Sequence, residues 1–275
     1  MIRVLKEIGR DWLPPALVRL ISKLRVSGNS FNGDFNTWEE ACSQCNGYDA
    51  EDILSKVLDS TLKVKRGEAA FERDSVLFDD IVYSYPLLSA LMWGAASDGG
   101  RLNVLDFGGS LGSTYFQNRR FLQSLREVQW NIVEQPHYVA AGQSFIQDDR
   151  LRFYKTIEQC LLENQPNVVV LSSVLQYLNV PFDILKIISN IGAKCLIIDR
   201  TPFSIQSNDK IMIQQVPSYI YKASYPMWVF SKQKFLDTVR GNWLVFATSI
   251  SPEGKVQSDS GFEFSFEGLV MEALQ

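Results

Sequence analysis

One segment near the middle of the chain, residues 104–112, constrains the fold more than any other. It reads VLDFGGSLG: an apolar run carries Asp106, passes through three glycines and enters a helical stretch. Glycines let the backbone turn tightly and approach a ligand without a Cβ in the way. The helix that follows presents free N–H groups and a positive dipole end to an anionic group. The segment therefore predicts a strand, a ligand-binding turn and a helix in direct succession.

Beyond this segment, short apolar runs alternate with helical stretches, which is typical of βαβ units and a parallel sheet. Two later apolar runs, joined by the polar stretch SPEGKVQSDSG, predict an antiparallel hairpin at the edge of the sheet. Ser231 is expected to cap a helix that ends near Arg240. The predicted strands are 102–107, 129–134, 151–154, 167–172, 194–199, 243–250 and 262–271, and the other predicted helices are 111–126, 137–146 and 182–191.

The first hundred residues have a different pattern. Residues 27–34 (SGNSFNGD) have the composition of a linker, and 38–99 indicate mostly helix, with one helix opening at Glu51 and Asp52 and a long one over 75–93. We therefore expect a helical extension or cap over 27–100, followed by one domain over 101–275. Within that domain, residues 204–230 are long for a connection and predict an insertion on the substrate side.

Residues 1–26 are amphipathic and basic. They carry six basic and two acidic side chains, so the remaining chain must sum to -8 for the total to be -4. A basic amphipathic segment that contains Trp12 is able to lie on an anionic membrane surface. A helix pair packed on the domain or on a partner explains the same pattern.

Composition excludes several classes of protein. A net charge of -4 argues against a dedicated nucleic-acid binder. A single histidine excludes a metal site built from several histidines, and the C-x-x-C of Cys42 and Cys45 lacks companion ligands, so we expect no metal and two ordinary thiols. No signal peptide or membrane span is evident, and we expect a cytoplasmic location, peripheral at the membrane if 1–26 binds it.

The glycine turn does not follow the dinucleotide fingerprint G-x-G-x-x-G, because Ser110 and Ser113 stand where that fingerprint requires glycine. The pattern D-x-G-x-x-x-G instead resembles motif I of class I S-adenosylmethionine-dependent methyltransferases. Ser110 stands where the family's commonest form has its middle glycine. The resemblance implies a Rossmann-like, seven-stranded, mostly parallel sheet with an antiparallel C-terminal hairpin, and S-adenosylmethionine as cofactor. It assigns the methionine end of the cofactor to Asp106 and to the turn residues Gly108, Gly109, Ser110 and Gly112.

An acidic residue at the end of the next strand supports the same interpretation. Glu134 follows Asp106 by 28 residues, and a carboxylate there accepts hydrogen bonds from both ribose hydroxyls in related nucleotide-binding folds. The resemblance gives Glu134 that role, with Gln135 beside it. It places the adenine near Tyr154, at the end of the third strand, and the methionine part near Ser172 and Ser173, after the fourth.

A closer resemblance extends over residues 38–274. The runs FERDSVLFDDIVYSYPLL, VLDFGGSLGSTYFQNRRFL, WNIVEQPHYVAAG and SYPMWVFS are similar to a family described as methyltransferases and encoded among bacterial surface-polysaccharide genes. The N-terminal WLPPALVRLISKLR is similar to it as well. This resemblance implies a sugar or glycolipid intermediate as the methyl acceptor.

Methyl transfer to a hydroxyl also needs a group that takes the proton. His137 is one candidate, because histidine titrates near neutral pH and this one lies three residues after Glu134. Tyr177, after the fourth strand, is the other. His137 at a helix N-terminus with no chemical role is the alternative.

Several further polar and aromatic residues allow two interpretations each, one functional and one structural. The pair Arg73–Asp74 either closes over the cofactor or the acceptor, or forms a surface or interhelical ion pair. The pair Asp199–Arg200 either faces the cleft or forms a turn before Pro202. Arg119 or Arg120 would meet a substrate phosphate or lie on a solvated helix face. The aromatic residues of the 204–230 segment suit a carbohydrate acceptor and equally suit packing under a lid; they are Tyr219, Tyr221, Tyr225 and Trp228.

Three functions follow from these observations. The first is S-adenosylmethionine-dependent methyl transfer, most simply O-methylation of a small-molecule or glycolipid acceptor. The second is a non-catalytic protein that binds the cofactor or a partner enzyme in a polysaccharide assembly complex. The third, an oxidoreductase or epimerase with a dinucleotide cofactor, is disfavoured by the missing fingerprint glycines.

Overall fold

The computed structural model describes residues 29–45, 50–73, 75–216 and 223–274. The predicted basic segment 1–26, Asp74, Tyr219 and Tyr221 lie outside these residues. The strands are β1 (Ser30–Phe35), β2 (Phe71–Arg73), β3 (Val76–Phe78), β4 (Arg101–Phe107), β5 (Glu127–Val133), β6 (Leu151–Tyr154), β7 (Val168–Ser172), β8 (Cys195–Ser204), β9 (Lys210–Gln215), β10 (Ser224–Ser231), β11 (Trp243–Gln257) and β12 (Glu263–Ala273).

Helices connect most of these strands. They are α1 (Trp38–Ser43), α2 (Ala50–Arg66), α3 (Tyr85–Ala96), α4 (Ser113–Leu122), α5 (Pro136–Ala141), α6 (Ile157–Glu163), α7 (Pro181–Ser189) and α8 (Lys232–Val239). Helix α5 continues as one π-helical turn over Gly142–Ile146, and Leu175–Tyr177 form a short 3-10 turn after β7.

Seven strands form the predicted framework, in the order β11-β12-β8-β7-β4-β5-β6. Strands β4 to β8 are parallel to one another, and β12 runs antiparallel to both β8 and β11. The predicted fold class, a Rossmann-like, mostly parallel sheet with an antiparallel C-terminal hairpin, is therefore confirmed. The register brings the carboxyl ends of β4, β5 and β7 to one edge of the sheet, where ligands bind in open α/β folds.

Three further strands extend this sheet to ten. Strand β10 pairs in parallel with the far end of β8, β9 pairs antiparallel with β10, and β1 pairs antiparallel with β9. The prediction of a linker over 27–34 is thus wrong from Ser30 onward, because pairing of Ser30 with Gln215 gives this Gly/Asn-rich stretch its hydrogen bonds. The predicted insertion over 204–230 contains, in its described part, strand β9 and most of strand β10.

The helical prediction for 38–99 holds for α1, α2 and α3 and is wrong between Phe71 and Ser84. Strands β2 and β3 form a small hairpin there, with the rings of Phe71 and Phe78 stacked at 5.9 Å. The long helix expected over 75–93 begins only at Tyr85, because Pro86 is pre-organised for the first helical turn and lacks the N–H that an interior position needs.

Helix α8 and the hairpin that follows agree with the sequence analysis except in one respect. Ser231 caps α8 by accepting a hydrogen bond from the N–H of Lys234, as expected. The polar stretch between the two hairpin strands was predicted as a loop, yet β11 reaches Gln257, since its backbone groups pair with β12 as far as Glu263.

The core lies on both faces of the parallel sheet. Alternate side chains of each buried strand point to opposite faces, as strand geometry requires. One layer packs against α2, α3 and α4 and the other against α6, α7 and α8; the largest fully buried side chains include Trp130, Phe153, Phe203, Phe230 and Phe235. Within the described ranges, no helix is both long enough and apolar enough to cross a membrane.

Candidate functional site

The glycine turn between β4 and α4 has the backbone that its sequence predicts. Gly108 has a φ of +73° and Gly112 a φ of +98°, values that glycine adopts at little cost. Ser110, where the resembling family most often has glycine, is held at a φ of +53°. Residues other than glycine rarely adopt this left-handed conformation, and they keep it where the surrounding structure enforces it. Ser110 therefore keeps the geometry of the turn without being glycine.

Asp106 lies beneath this turn and is only 1% exposed. Its Oδ2 accepts a hydrogen bond of 2.9 Å from the indole Nε1 of Trp130. A Cβ on Gly109 would lie 2.5 Å from the Asp106 carboxyl carbon, so the turn rests directly on the carboxyl group. Burial raises the pKa of Asp106 from 3.8 to about 7, while the indole hydrogen bond lowers it, Glu134 raises it and Arg200 lowers it. Asp106 thus supports the turn from below.

Glu134 is the first residue after β5, beside the glycine turn. The N–H of Gly108 donates to the carbonyl of Val133 at 2.9 Å, which joins the ends of β4 and β5. The Glu134 carboxylate accepts a 2.6 Å hydrogen bond from the N–H of Gln135, and the N–H of Ser110 is near enough to lower its pKa. Burial raises the pKa of Glu134, and these two N–H groups and His137 oppose that rise. The structure therefore brings the predicted ribose carboxylate and the turn together.

The other residues on this side of the sheet lie around the ends of β5 and β6. Gln135 is exposed at the N-terminus of α5, and His137 is half-buried, with its ring 4.9 Å from that of Tyr138. Tyr154 ends β6 and pairs with Val133, while its hydroxyl contacts Glu163 and Asn164 at 3.0 and 2.9 Å. The hydroxyl of Tyr154 is thus engaged, and its side chain is buried in the hydrophobic core, so a contact with adenine stays a prediction.

Ser172 ends β7, Ser173 follows it, and both contact the neighbouring strand β8. The Ser172 hydroxyl donates to Oδ2 of Asp199 at 2.8 Å, and the N–H of Ser173 donates to the Asp199 carbonyl at 2.9 Å. The guanidinium of Arg200 lies 3.6 Å from the same Oδ2. Of the two interpretations that the sequence left open for the Asp199–Arg200 pair, the structure favours the first, because both residues line a cleft.

A cleft opens beside these residues, between the sheet edge and the N-terminal extension. Ser172, Asp199 and Arg200 line it from the sheet, and Ser113, Thr114 and Gln117 from α4. Across from them stand Phe71, Arg73, Val82, Tyr83, Ser84 and Leu87, with Pro252 of the hairpin at one end. The cleft thus joins the start of α4 to a wall that contains both apolar and cationic side chains.

Several residues that the sequence singled out lie elsewhere. Arg119 donates to the carbonyl of Val64 and packs over the ring of Phe116, and Arg120 is exposed; neither lines the cleft. Trp228 stacks on Trp38 at 5.9 Å, which favours the packing interpretation for that side chain.

Tyr177 belongs to the packing between the 3-10 turn and the added strands. Its hydroxyl donates to Oε1 of Gln214 at 3.0 Å, and its ring meets that of Tyr225 edge-on at 5.0 Å. Neither Tyr177 nor His137 lines the cleft. A catalytic role for either one stays a prediction.

Sequence reasoning missed Glu72, which is 2% exposed on β2. Its carboxylate accepts a hydrogen bond from the hydroxyl of Ser113, the first residue of α4. This contact ties the N-terminal hairpin to the helix that follows the glycine turn. The available signal was a glutamate between two apolar runs, in FERD, but its partner lies 41 residues further along the chain.

Comparison with known proteins gives likenesses only among solved structures. No protein-family model matches the chain, and no curated protein matches it. One similar structure is a Burkholderia thailandensis 1,6-didemethyltoxoflavin-N1-methyltransferase with bound S-adenosylhomocysteine, at 11% identity and a TM-score of 0.44, covering 91% of this chain and 98% of that one.

Two other similar structures are at the same identity. The N-terminal domain of EvdMO1, with S-adenosylhomocysteine and D-fucose, matches at 11% identity and a TM-score of 0.48, over 82% of this chain and 98% of that one. CalS10, an amino pentose methyltransferase of Micromonospora echinaspora, matches at 11% identity and a TM-score of 0.43. This match covers 69% of this chain and 91% of CalS10. The fold assignment rests on the strand order of this chain's own sheet.

Proposed function

We propose that this protein transfers a methyl group from S-adenosylmethionine to a small acceptor bound in the cleft. The observation that carries the proposal is the meeting of two features at one sheet edge. A left-handed glycine turn opens helix α4, and the Glu134 carboxylate lies against the N–H of Ser110 in that turn. The resemblance of residues 106–112 to motif I supports the same cofactor.

The residues at this edge fit the chemistry of that cofactor. Helix α4 begins after Gly112 without a side-chain cap, so its first N–H groups are available to the carboxylate of the methionine part. Glu134 offers carboxylate lone pairs to the ribose hydroxyls. Asp106 acts from beneath, because its buried carboxyl group holds the turn against Trp130 and leaves the upper face to the ligand.

When bound, S-adenosylmethionine supplies a sulfonium-bound methyl group, an electrophile for an oxygen or nitrogen nucleophile. The chain's task is then to hold the acceptor in line with that group and to exclude water, which supplies much of the acceleration in such displacements. Ser172 and Ser113 both line the cleft. Their hydroxyl groups donate to Asp199 and Glu72, so the two hydroxyl oxygens remain as acceptors for a polar group of the methyl acceptor.

For the acceptor, we propose a sugar hydroxyl, free or carried on a glycolipid intermediate of surface-polysaccharide synthesis. The cleft walls combine hydroxyl, amide, carboxylate and guanidinium groups with the rings of Phe71 and Tyr83. Polar groups that fix hydroxyls, beside aromatic faces that cover apolar sugar faces, suit a carbohydrate. The similarity of the chain to methyltransferases encoded among surface-polysaccharide genes supports the same class.

Calorimetric titration of S-adenosylhomocysteine into the wild-type protein and two variants tests the cofactor assignment. Glu134→Gln removes the charge at the proposed ribose site, and we expect affinity to fall about tenfold to a hundredfold, as loss of a charged hydrogen-bond partner does. Glu127→Gln is the matched control, since Glu127 is exposed at the opposite end of the same strand. Near-normal affinity of Glu134→Gln, or equal losses in both variants, would contradict the assignment.

A further inference from the structure

Asp199 is a buried carboxylate on the cleft wall that the cofactor site does not use. It is 7% exposed, and both of its described side-chain partners, Ser172 and Arg200, also line the cleft. Both partners approach the same oxygen, Oδ2. Oδ1 accepts no hydrogen bond from any of the residues that the structure describes.

Gly268 of the adjacent strand β12 lies beside this carboxylate. A Cβ on Gly268 would lie 2.7 Å from the hydroxyl oxygen of Ser249, 3.3 Å from the carbonyl oxygen of Ile198 and 3.7 Å from Oδ1 of Asp199. The missing side chain at Gly268 therefore leaves room for the side chains of Asp199 and Ser249 at this junction of β8 with the hairpin.

The backbone around Asp199 is held in an uncommon conformation. Ser173 has a φ of +56° and Arg200 a φ of +49°, and neither residue is glycine. Gln176, which is fully buried, ties the two together: its Nε2 donates to the Ser173 hydroxyl at 3.1 Å and to the Arg200 carbonyl at 3.2 Å. Strained residues of this kind persist where the surrounding structure enforces them, and they cluster at active sites.

Strand pairing places this carboxylate at the same edge of the sheet as the glycine turn. Asp199 pairs with Ser172, and β7 in turn pairs with β4, where Asp106 lies opposite Val170. The side chain of Val174, just after Ser173, packs against Gly108 of the turn. Asp199 is thus two strands from the glycine turn and on the acceptor side of it.

We propose that Asp199 faces the reacting centre and accepts the proton of the acceptor hydroxyl, an inference that rests on the methyltransferase function proposed above. The hydroxyl oxygen forms a bond to the methyl carbon while the bond from that carbon to sulfur breaks. The electron pair of the broken bond stays on sulfur, which becomes a neutral thioether. The hydroxyl proton moves to Oδ1 of Asp199, and Ser172 and Arg200 hold Oδ2 in place.

Two ligands that differ in charge at the reacting position test where this carboxylate points. S-adenosylhomocysteine carries a neutral sulfur, whereas sinefungin carries an ammonium group where the cofactor has its methyl group. A carboxylate at a distance of about 6 Å would favour the cation by roughly a hundredfold at an effective permittivity of about 20. Calorimetry on the full chain gives the ratio of the two affinities for each variant.

We expect Asp199→Asn to reduce the preference for sinefungin by that factor while changing the affinity for S-adenosylhomocysteine by less than about threefold. Arg200→Gln removes the neighbouring cation and should increase the preference for sinefungin. This variant provides the test if Asp199→Asn does not fold. Asp183→Asn is the control, because it removes the same charge from an exposed position on α7.

The possible failures are distinguishable. If neither ligand binds the wild-type protein, the proposed function fails, and this inference fails with it. If both ligands bind but the ratio is the same in wild type, Asp199→Asn and Arg200→Gln, Asp199 does not face the reacting centre. The cofactor assignment would then stand without this role for Asp199.

Discussion

Replacing Asp106 with asparagine tests how the carboxyl group beneath the glycine turn is stabilised. Asparagine is neutral and nearly isosteric, and its Oδ1 is able to accept the hydrogen bond that Trp130 Nε1 donates to Asp106 at 2.9 Å. The substitution therefore mimics the protonated carboxyl group. It removes only the titration of a group that is 1% exposed.

The expected magnitude follows from the raised pKa. A carboxyl group whose pKa rises from 3.8 to about 7 on folding binds its proton more tightly in the folded chain. The stabilisation that this proton provides is fully present below the unfolded pKa of 3.8 and is lost as the pH rises through about 7. At 1.36 kcal/mol for each pH unit, the whole loss is about 4 kcal/mol.

Urea unfolding of both proteins across this pH range measures the effect. We expect the free energy of unfolding of Asp106→Asn, relative to wild type, to increase by about 2–4 kcal/mol between about pH 5 and about pH 8. Other titrating groups are the same in both proteins and largely cancel in the difference. Trp130→Phe, which removes the donor that lowers the pKa of Asp106, should steepen the pH dependence. Parallel stability curves for wild type and Asp106→Asn would refute the reasoning.

Substitutions at three further positions, Gly109, Ser110 and Tyr177, test the turn and the packing beside the added strands. Gly109→Ala places a methyl group against the buried carboxyl group of Asp106. It should lower the free energy of unfolding by about 1–3 kcal/mol and weaken the binding of S-adenosylhomocysteine. Gly241→Ala is the control and should cost little, because Gly241 has open space around it. Ser110→Gly should change stability by less than about 1 kcal/mol, while Ser110→Val, branched at a positive φ, should lose about 2 kcal/mol or more; thermal unfolding compares them. Tyr177→Phe removes the hydroxyl that donates to Oε1 of the buried Gln214, so it should lower the free energy of unfolding in urea by about 1–2 kcal/mol. An unchanged affinity for S-adenosylhomocysteine would separate this packing role from a role at the cofactor.

The parallel half of the fold was predictable because its signals are local. Residues 104–112 contain a strand, its turn and the start of a helix within nine positions, and the register of β4, β5 and β7 follows once those strands are parallel. Glu134 was predictable for the same reason, since it ends the strand that comes next along the chain. Ser231 as a helix cap is also a local signal.

The added strands were not predictable, because their pairing is remote. Ser30 pairs with Gln215, and Phe230 pairs with Phe203, so hydrogen bonds between distant residues make strands of the predicted linker and of the predicted insertion. The hairpin strand over 251–257 is a similar case, since its polar residues gave no strand signal until paired with β12.

Parts of the site were unpredictable for a related reason. The burial of Asp106 depends on Trp130, and the link from Ser113 to Glu72 spans 41 residues. The Asp199–Ser172 contact joins the ends of two strands that only the sheet brings together. Sequence alone placed Asp199 at a strand end but gave no sign of its hydrogen-bond partner.

The most direct test of the account is a calorimetric comparison of S-adenosylhomocysteine with NAD on the wild-type protein. A glycine turn that lacks the dinucleotide fingerprint and lies against Glu134 should bind the first with one site per chain and a dissociation constant in the micromolar range, about -8 kcal/mol. NAD should give no saturable heat at the same concentrations. Binding of NAD in preference to S-adenosylhomocysteine, or binding of neither, would contradict the account.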